Sequence, residues 1–125
     1  MAMNHVWELG ERATEAYTHL FQALAEPARL AILQHLTLGE HRVRDLVDHM
    51  GLAQSTVSKH LKFLVECGLI TSRPEGRSTW YALADPAALQ ALIIAAAHML
   101  QATGKQTRLC QHLHAGPAEK ALEAQ

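Results

Sequence analysis

Between Val43 and Leu83 the apolar residues change their spacing, and that change restricts the fold more than any other feature of the chain. Val43, Leu46, Val47 and Met50 recur at the three- and four-residue steps of a short helix, Val43–Met50, closed by Gly51. After Gly51-Leu52-Ala53 the same spacing resumes at Val57, Leu61, Leu64 and Val65, which predicts a second helix over Gln54–Glu66 ended by Cys67-Gly68. The pattern then turns to β-biased runs, Leu69–Ser72 and Thr79–Leu83, on either side of the turn Pro74-Glu75-Gly76. Two short helices joined by a turn of about three residues make a helix-turn-helix, and the two-stranded hairpin behind it makes the unit winged.

The flanking segments supply the remaining helices. Glu11–Ala25 carries Ala13, Ala16, Tyr17, Leu20, Phe21 and Leu24 at helical spacing, and Pro27 opens a further helix through Ala28–Leu36. Asp85-Pro86 caps a last helix, Ala87–Ala102, with Gly104 just past its end. Leu89, Leu92, Ile93, Ala96, Met99 and Leu100 form one apolar stripe of that helix, and Ala87, Ala91, Ile94, Ala95, His98 and Ala102 run round the other side. A helix apolar nearly all round is buried on two faces, and in a chain of 125 residues the second face needs a partner subunit. The fold class expected is therefore mainly α with a small β-hairpin: a winged helix-turn-helix dimerised through its N- and C-terminal helices. Residues 1–104 form the DNA-binding and dimerisation domain, and residues 105–125 form a C-terminal tail, with a ligand segment followed by a mobile end.

The chemistry of the second helix and the hairpin points to nucleic acid. Gln54, Ser55, Thr56, Ser58, Lys59, His60 and Lys62 interleave short polar donors with cations, while Val57, Leu61, Leu64 and Val65 fall on the opposite side at ~100° per residue. Arg73 and Arg77 flank the hairpin turn, where they can hold phosphates beside a groove. The net charge is only −1, but residues 41–81 hold six Lys/Arg against four Asp/Glu, and local charge governs phosphate contact. The expected partner is double-stranded operator DNA, bound by a homodimer with two reading heads. No apolar stretch is long enough to span a bilayer and the first residues lack an export signal, so a cytoplasmic location is expected. Cys67 and Cys110 make no Cys-x-x-Cys pair, and reduced thiols suit that compartment.

The order of elements resembles the ArsR/SmtB family of bacterial winged-helix repressors. The likeness covers about residues 14–103 and rests on LFQALAEPARLAILQHL, on VRDLVDHMGLAQSTVSKHLKFLVECGLI and on RPEGRSTWYALADP. It implies a homodimeric repressor that occupies its operator until an effector lowers its affinity. It further implies groove contacts from Gln54, Ser55, Thr56, Ser58, Lys59 and His60, with Arg77 in the wing. In many members the effector is a metal ion; some instead sense thiol oxidation or persulfide.

Three regions that hold metal in such sensors can be compared. The Cys-x-Cys pair that arsenic, lead or cadmium sensors carry in the third helix is absent, since His41, Arg42 and Val43 stand there. On the last helix the positions used by zinc, cobalt and nickel sensors read Asp85, Ala87, His98 and Gln101, which keeps two ligands of the four Zn²⁺ normally takes. The positions of a cadmium-sensing branch read Phe63 and Cys67, with Cys110 in the tail. The tail also supplies His112 and His114, and Cys110-x-His112-x-His114 offers soft and borderline donors suited to Zn²⁺, Cd²⁺, Co²⁺ or Ni²⁺. The resulting expectation is a divalent metal effector held by Asp85, His98, Cys110, His112 and His114 across the dimer.

Plainer readings stand beside these. Asp85 before Pro86 is a good helix N-cap whatever it ligates, His98 can be an interface histidine, and Cys67 can be a small core residue. His5, His19, His35, His41 and His49 are scattered and receive no role. A thiol- or persulfide-responsive repressor using Cys67 and Cys110, or a regulator with no small effector, is the alternative. An enzyme is not expected: no Gly-rich phosphate loop, HExxH or nucleophile elbow occurs.

Overall fold

A computed structural model of the chain describes residues 10–104. Its elements run α1 (Glu11–Leu24), α2 (Pro27–Leu36), β1 (His41–Arg42), α3 (Val43–Met50), α4 (Gln54–Glu66), β2 (Ile70–Glu75), β3 (Ser78–Leu83) and α5 (Pro86–Ala102). The architecture is mostly helical with one small antiparallel sheet of order β1-β3-β2.

Local chemistry sets most of the boundaries. Glu26 caps α2 by accepting the Arg29 backbone N–H at 2.9 Å, and Pro27 takes the first turn, where its missing N–H costs nothing. Asp85 caps α5 in the same way, its Oδ1 accepting the Ala88 N–H at 3.0 Å. The end of α4 is a Schellman motif. Gly68, at φ +78°, donates to the Val65 carbonyl at 2.9 Å, and Leu69 donates to Leu64 at 3.1 Å. A side chain at position 68 would strain that left-handed backbone.

The expected hairpin is present as β2–β3, and a third strand, β1, joins it by pairing His41 with Tyr81 and Arg42 with Trp80. The hairpin turn is also tighter than expected: β2 continues through Pro74-Glu75, Glu75 pairs with Ser78, and only Gly76-Arg77 turn, Gly76 at φ +60°. Pro74 is tolerated because β2 is an edge strand, where a missing donor breaks no inner ladder.

The core forms where α2, α3 and α4 meet. Ile32, Leu33, Leu46, Val57, Leu61 and Leu64 are fully buried, joined by Ile70 and Leu83 from the wing and by Leu89 and Ile93 from α5. Each such side chain stabilises the fold by about 1.5–3 kcal/mol relative to exposure. Among the described residues no polar or charged residue is buried, so the core needs no internal ion pairs. The packing fixes how α4 faces: with Val57, Leu61 and Leu64 inward, Ser55, Lys59 and Lys62 must face out.

Candidate nucleic-acid interface and sensory residues

On α4, Gln54, Ser55, Lys59 and Lys62 are exposed, and Thr56 and Ser58 are half-buried at the edge of the same face. Lys59 and Lys62 form no ion pair among the described residues, so their charges are free for a partner. The helix opens on Ala53 with no side chain capping it, which leaves first-turn N–H groups and the positive end of the helix dipole outward.

His60 is placed otherwise than expected. Its side chain is 18% exposed, with Nε2 3.7 Å from Glu26 Oε2 and Nδ1 3.5 Å from Arg29 Nη1. One residue beyond Lys59 is ~100° further round the helix, enough to turn the ring from the outer face towards α2. The neighbouring Arg29 locks that corner. It donates from Nε to the Ala23 carbonyl at 2.9 Å and from Nη2 to Gln22 at 2.8 Å, satisfying the end of α1, and its guanidinium lies 4.4 Å over the Phe63 ring.

Arg73 is also committed within the protein. It holds Glu40 through Nε at 3.2 Å and Nη2 at 3.0 Å, and Glu75 through Nη1 at 2.8 Å. These bonds raise the Arg73 pKa above its usual value and lower that of Glu40. The side chain pins the wing to the loop before β1, and its charge is largely cancelled there. Arg77, at the hairpin tip, is exposed and forms no ion pair among the described residues.

A cavity of about 290 Å³ lies between the wing and the start of α4, lined by Arg42, Arg44, Arg77 and Gln54 together with Ser78 and Thr79. Arg42 is held in place from two sides. Asp45 Oδ2 accepts its Nε at 3.0 Å and Oδ1 its Nη2 at 3.1 Å, and its guanidinium lies 4.8 Å over the Trp80 ring. The Asp45 carboxylate also accepts the Arg42 backbone N–H at 2.9 Å; Arg42's side chain and backbone together depress its pKa to about 2. Arg44 is exposed and unpaired among the described residues. Arg42 and Arg44 were not anticipated as part of this face. The available signal was the Arg-x-Arg step at 42–44, but its meaning depends on β1 bringing the start of α3 beside the wing.

The sensory candidates are separated in one chain. Asp85 caps α5, while His98 is exposed near the other end of that helix, roughly 20 Å along its axis. Cys110, His112 and His114 lie outside the described residues, and among those described no group of three or more His, Cys, Asp or Glu could hold a metal ion. Cys67 is half-buried with Sγ 3.5 Å from His19 Nε2, and burial pushes its thiol pKa up. The fold also gathers histidines that the sequence scatters: His49 stacks on His35 at 5.3 Å between ring centroids and meets His41 edge-on at 5.9 Å.

Residues 26–72 match the family described as "Bacterial regulatory protein, arsR family". The regulator CmtR of Mycobacterium tuberculosis is 43% identical over 82 residues, covering 66% of this chain and 70% of the relative. The chain belongs to the arsR family. A probable mercury resistance operon repressor of Streptomyces lividans is 39% identical over 75 residues, or 60% of each chain. HlyU of Vibrio cholerae, a solved structure, aligns with a TM-score of 0.61 at 30% identity over 72% of this chain and 97% of that one. ArsR-family proteins are transcriptional regulators, not enzymes, and the solved neighbour shares this fold. Among the described residues no helix is long and apolar enough to cross a membrane.

Proposed function

We propose that this chain is a homodimeric repressor that binds a two-fold operator and is released by a divalent metal ion of the Zn²⁺, Cd²⁺, Co²⁺ or Ni²⁺ class. The observation that carries the DNA half is the free cationic face of α4, held outward by a fully buried opposite face. Lys59 and Lys62 contact phosphates, and Gln54, Ser55, Thr56 and Ser58 reach base edges from the first turns of the helix. Arg77 extends the contact along the backbone. His60 and Arg73 support this surface from behind, through Glu26 with Arg29 and through Glu40 with Glu75.

Dimerisation is supported by what one chain leaves uncovered. Tyr17 and Phe21 on α1 are 50% and 53% exposed, and Met99 on α5 is 72% exposed. Large apolar side chains left exposed on two helices support a surface for another copy. The same pairing brings Asp85 of one α5 towards His98 of the other, which a single chain cannot do.

The donor set fits a divalent ion in part. Asp85 spends Oδ1 on its cap and keeps Oδ2, the His98 ring is exposed, and the tail residues Cys110, His112 and His114 supply the remaining donors in this reading. An ion held there would tie the two subunits together and change the spacing of their reading helices. The likeness to a mercury resistance repressor favours a metal effector over none. A thiol-responsive reading gains less support, because a thiol whose pKa is raised by burial is a poor nucleophile.

The test is retardation of the promoter upstream of the chain's own gene, with each metal then titrated into the complex. His98→Ala is expected to leave operator affinity unchanged and to abolish metal-induced release. Release as in the parent would remove His98 from the site.

A further inference from the structure

The cavity between the wing and α4 differs from the rest of the proposed DNA-facing surface in being concave and in drawing on four separate segments. Arg42 comes from β1, Arg44 from the first turn of α3, Gln54 from the first residue of α4 and Arg77 from the hairpin tip. Three guanidinium groups around one space of about 290 Å³ repel one another unless an anion lies between them. Arg42 has part of its charge met by Asp45, while Arg44 and Arg77 have no counter-ion among the described residues. The other lining groups are also suited to oxyanion oxygens: the Gln54 amide and the Ser78 and Thr79 hydroxyls all donate. The cavity lies beside the uncapped N-terminus of α4, so the helix dipole favours the same charge.

We infer that this cavity is a clamp for one backbone phosphate of the operator, with Arg44 as its principal unassigned donor and Arg42 as a second donor held rigid by Asp45 and Trp80. The inference rests on the repressor reading and adds to it a specific anchoring point. A phosphate seated there fixes how far the first turn of α4 enters the groove, because Gln54 lines the clamp and also opens the reading helix. The clamp therefore sets register and contributes affinity without sequence preference. It also spans wing, α3 and α4, so a small shift of the wing against α4 would open it and loosen the complex on every sequence alike.

The experiment compares the full-length parent with Arg44→Gln and Arg44→Lys on operator and on unrelated duplex DNA, over a salt series. Arg44 is exposed and unpaired among the described residues, so both variants should keep the parent's circular dichroism. Removing one phosphate contact reduces the slope of log K against log salt by about 0.9 per bound protomer, and weakens binding about fivefold per protomer near 0.15 M salt. Arg44→Gln should show both effects equally on the two DNAs, and Arg44→Lys should recover most of the slope. An unchanged slope in Arg44→Gln, with the parent still retarding DNA, overturns the clamp alone. If the parent retards no DNA at low salt, the repressor reading fails with it. A third arm titrates inorganic phosphate into the free protein and follows the Arg44 and Gln54 amide resonances. Saturation below about 1 mM, combined with an unchanged DNA slope, would make the cavity a free-anion site and also overturn the proposal.

Discussion

Two cavities of the same size, about 290 Å³ each, show how differently the two halves of this molecule are built. One lies by the wing and α4 and is ringed by Arg42, Arg44 and Arg77. The other lies between α1 and α5 and is lined by Leu20, Leu69, Leu89 and Leu92. Around the first, helices are packed by fully buried residues and the charges point outward. On α1 and α5, Tyr17, Phe21 and Met99 stay exposed although they are large and apolar. Under the proposed function the half around α4 is complete within one chain, whereas the α1–α5 half keeps large apolar side chains uncovered for a second copy.

Leu61 is fully buried behind Lys59 and Lys62, so Leu61→Ala is expected to cost about 2–5 kcal/mol in chemical denaturation and to lose DNA binding through loss of the fold. A cost below 1 kcal/mol would mean that α4 is not anchored as described. On the other half, Phe21→Glu places a charge on a surface that a single chain leaves in water. The fold should persist by circular dichroism, while sedimentation should show the dimer dissociating at least about tenfold more readily, as expected for a buried unpaired charge. Retention of the dimer at parental strength would take α1 out of the interface.

The smallest effect concerns pH. Asp45 is held below its ordinary value by the Arg42 side chain first and the Arg42 backbone N–H second. Its folded pKa, about 2, is depressed relative to 3.8, so the stabilisation is fully present above the ordinary carboxylate value and is lost as pH falls from about 4 through 2. The pair is partly exposed, at 26% for each side chain, so solvent screens it and its contribution is small. Asp45→Asn should therefore flatten the acid limb of the stability curve and lower stability slightly near pH 7. An acid limb identical to the parent's would show that the pair does not stabilise the start of α3.

Much of this arrangement was legible in the residues. The bounds of α3 and α4 follow from Gly51 and Gly68, which end helices whose apolar period is regular. The bounds of α2 and α5 differ from expectation by one residue because Pro27 and Pro86 sit inside the first turn and not before it. β1 was not legible, since two residues carry no period and become a strand only by pairing with Trp80 and Tyr81. The charged surface was legible in composition but not in detail. Arg73 and Arg77 look alike in the sequence, yet one is tied to Glu40, a residue 33 positions away, and the other has no ion pair among the described residues. Arg44 showed the reverse: an ordinary helix cation in sequence, it stands beside the wing only because β1 brings α3 there. His35, His41 and His49 drew no attention for the same reason, being neighbours in space and not in register.

In the proposed function the outer face of α4 holds DNA through charge that nothing among the described residues neutralises. Salt-dependent retardation of the chain's own promoter by the parent and by Lys59→Ala tests this most directly. The expected result is a steep negative slope for the parent, and for Lys59→Ala a slope shallower by about 0.9 per protomer on every DNA, with the dimer intact. A Lys59→Ala protein that binds like the parent at every salt concentration, or that unfolds, would contradict it.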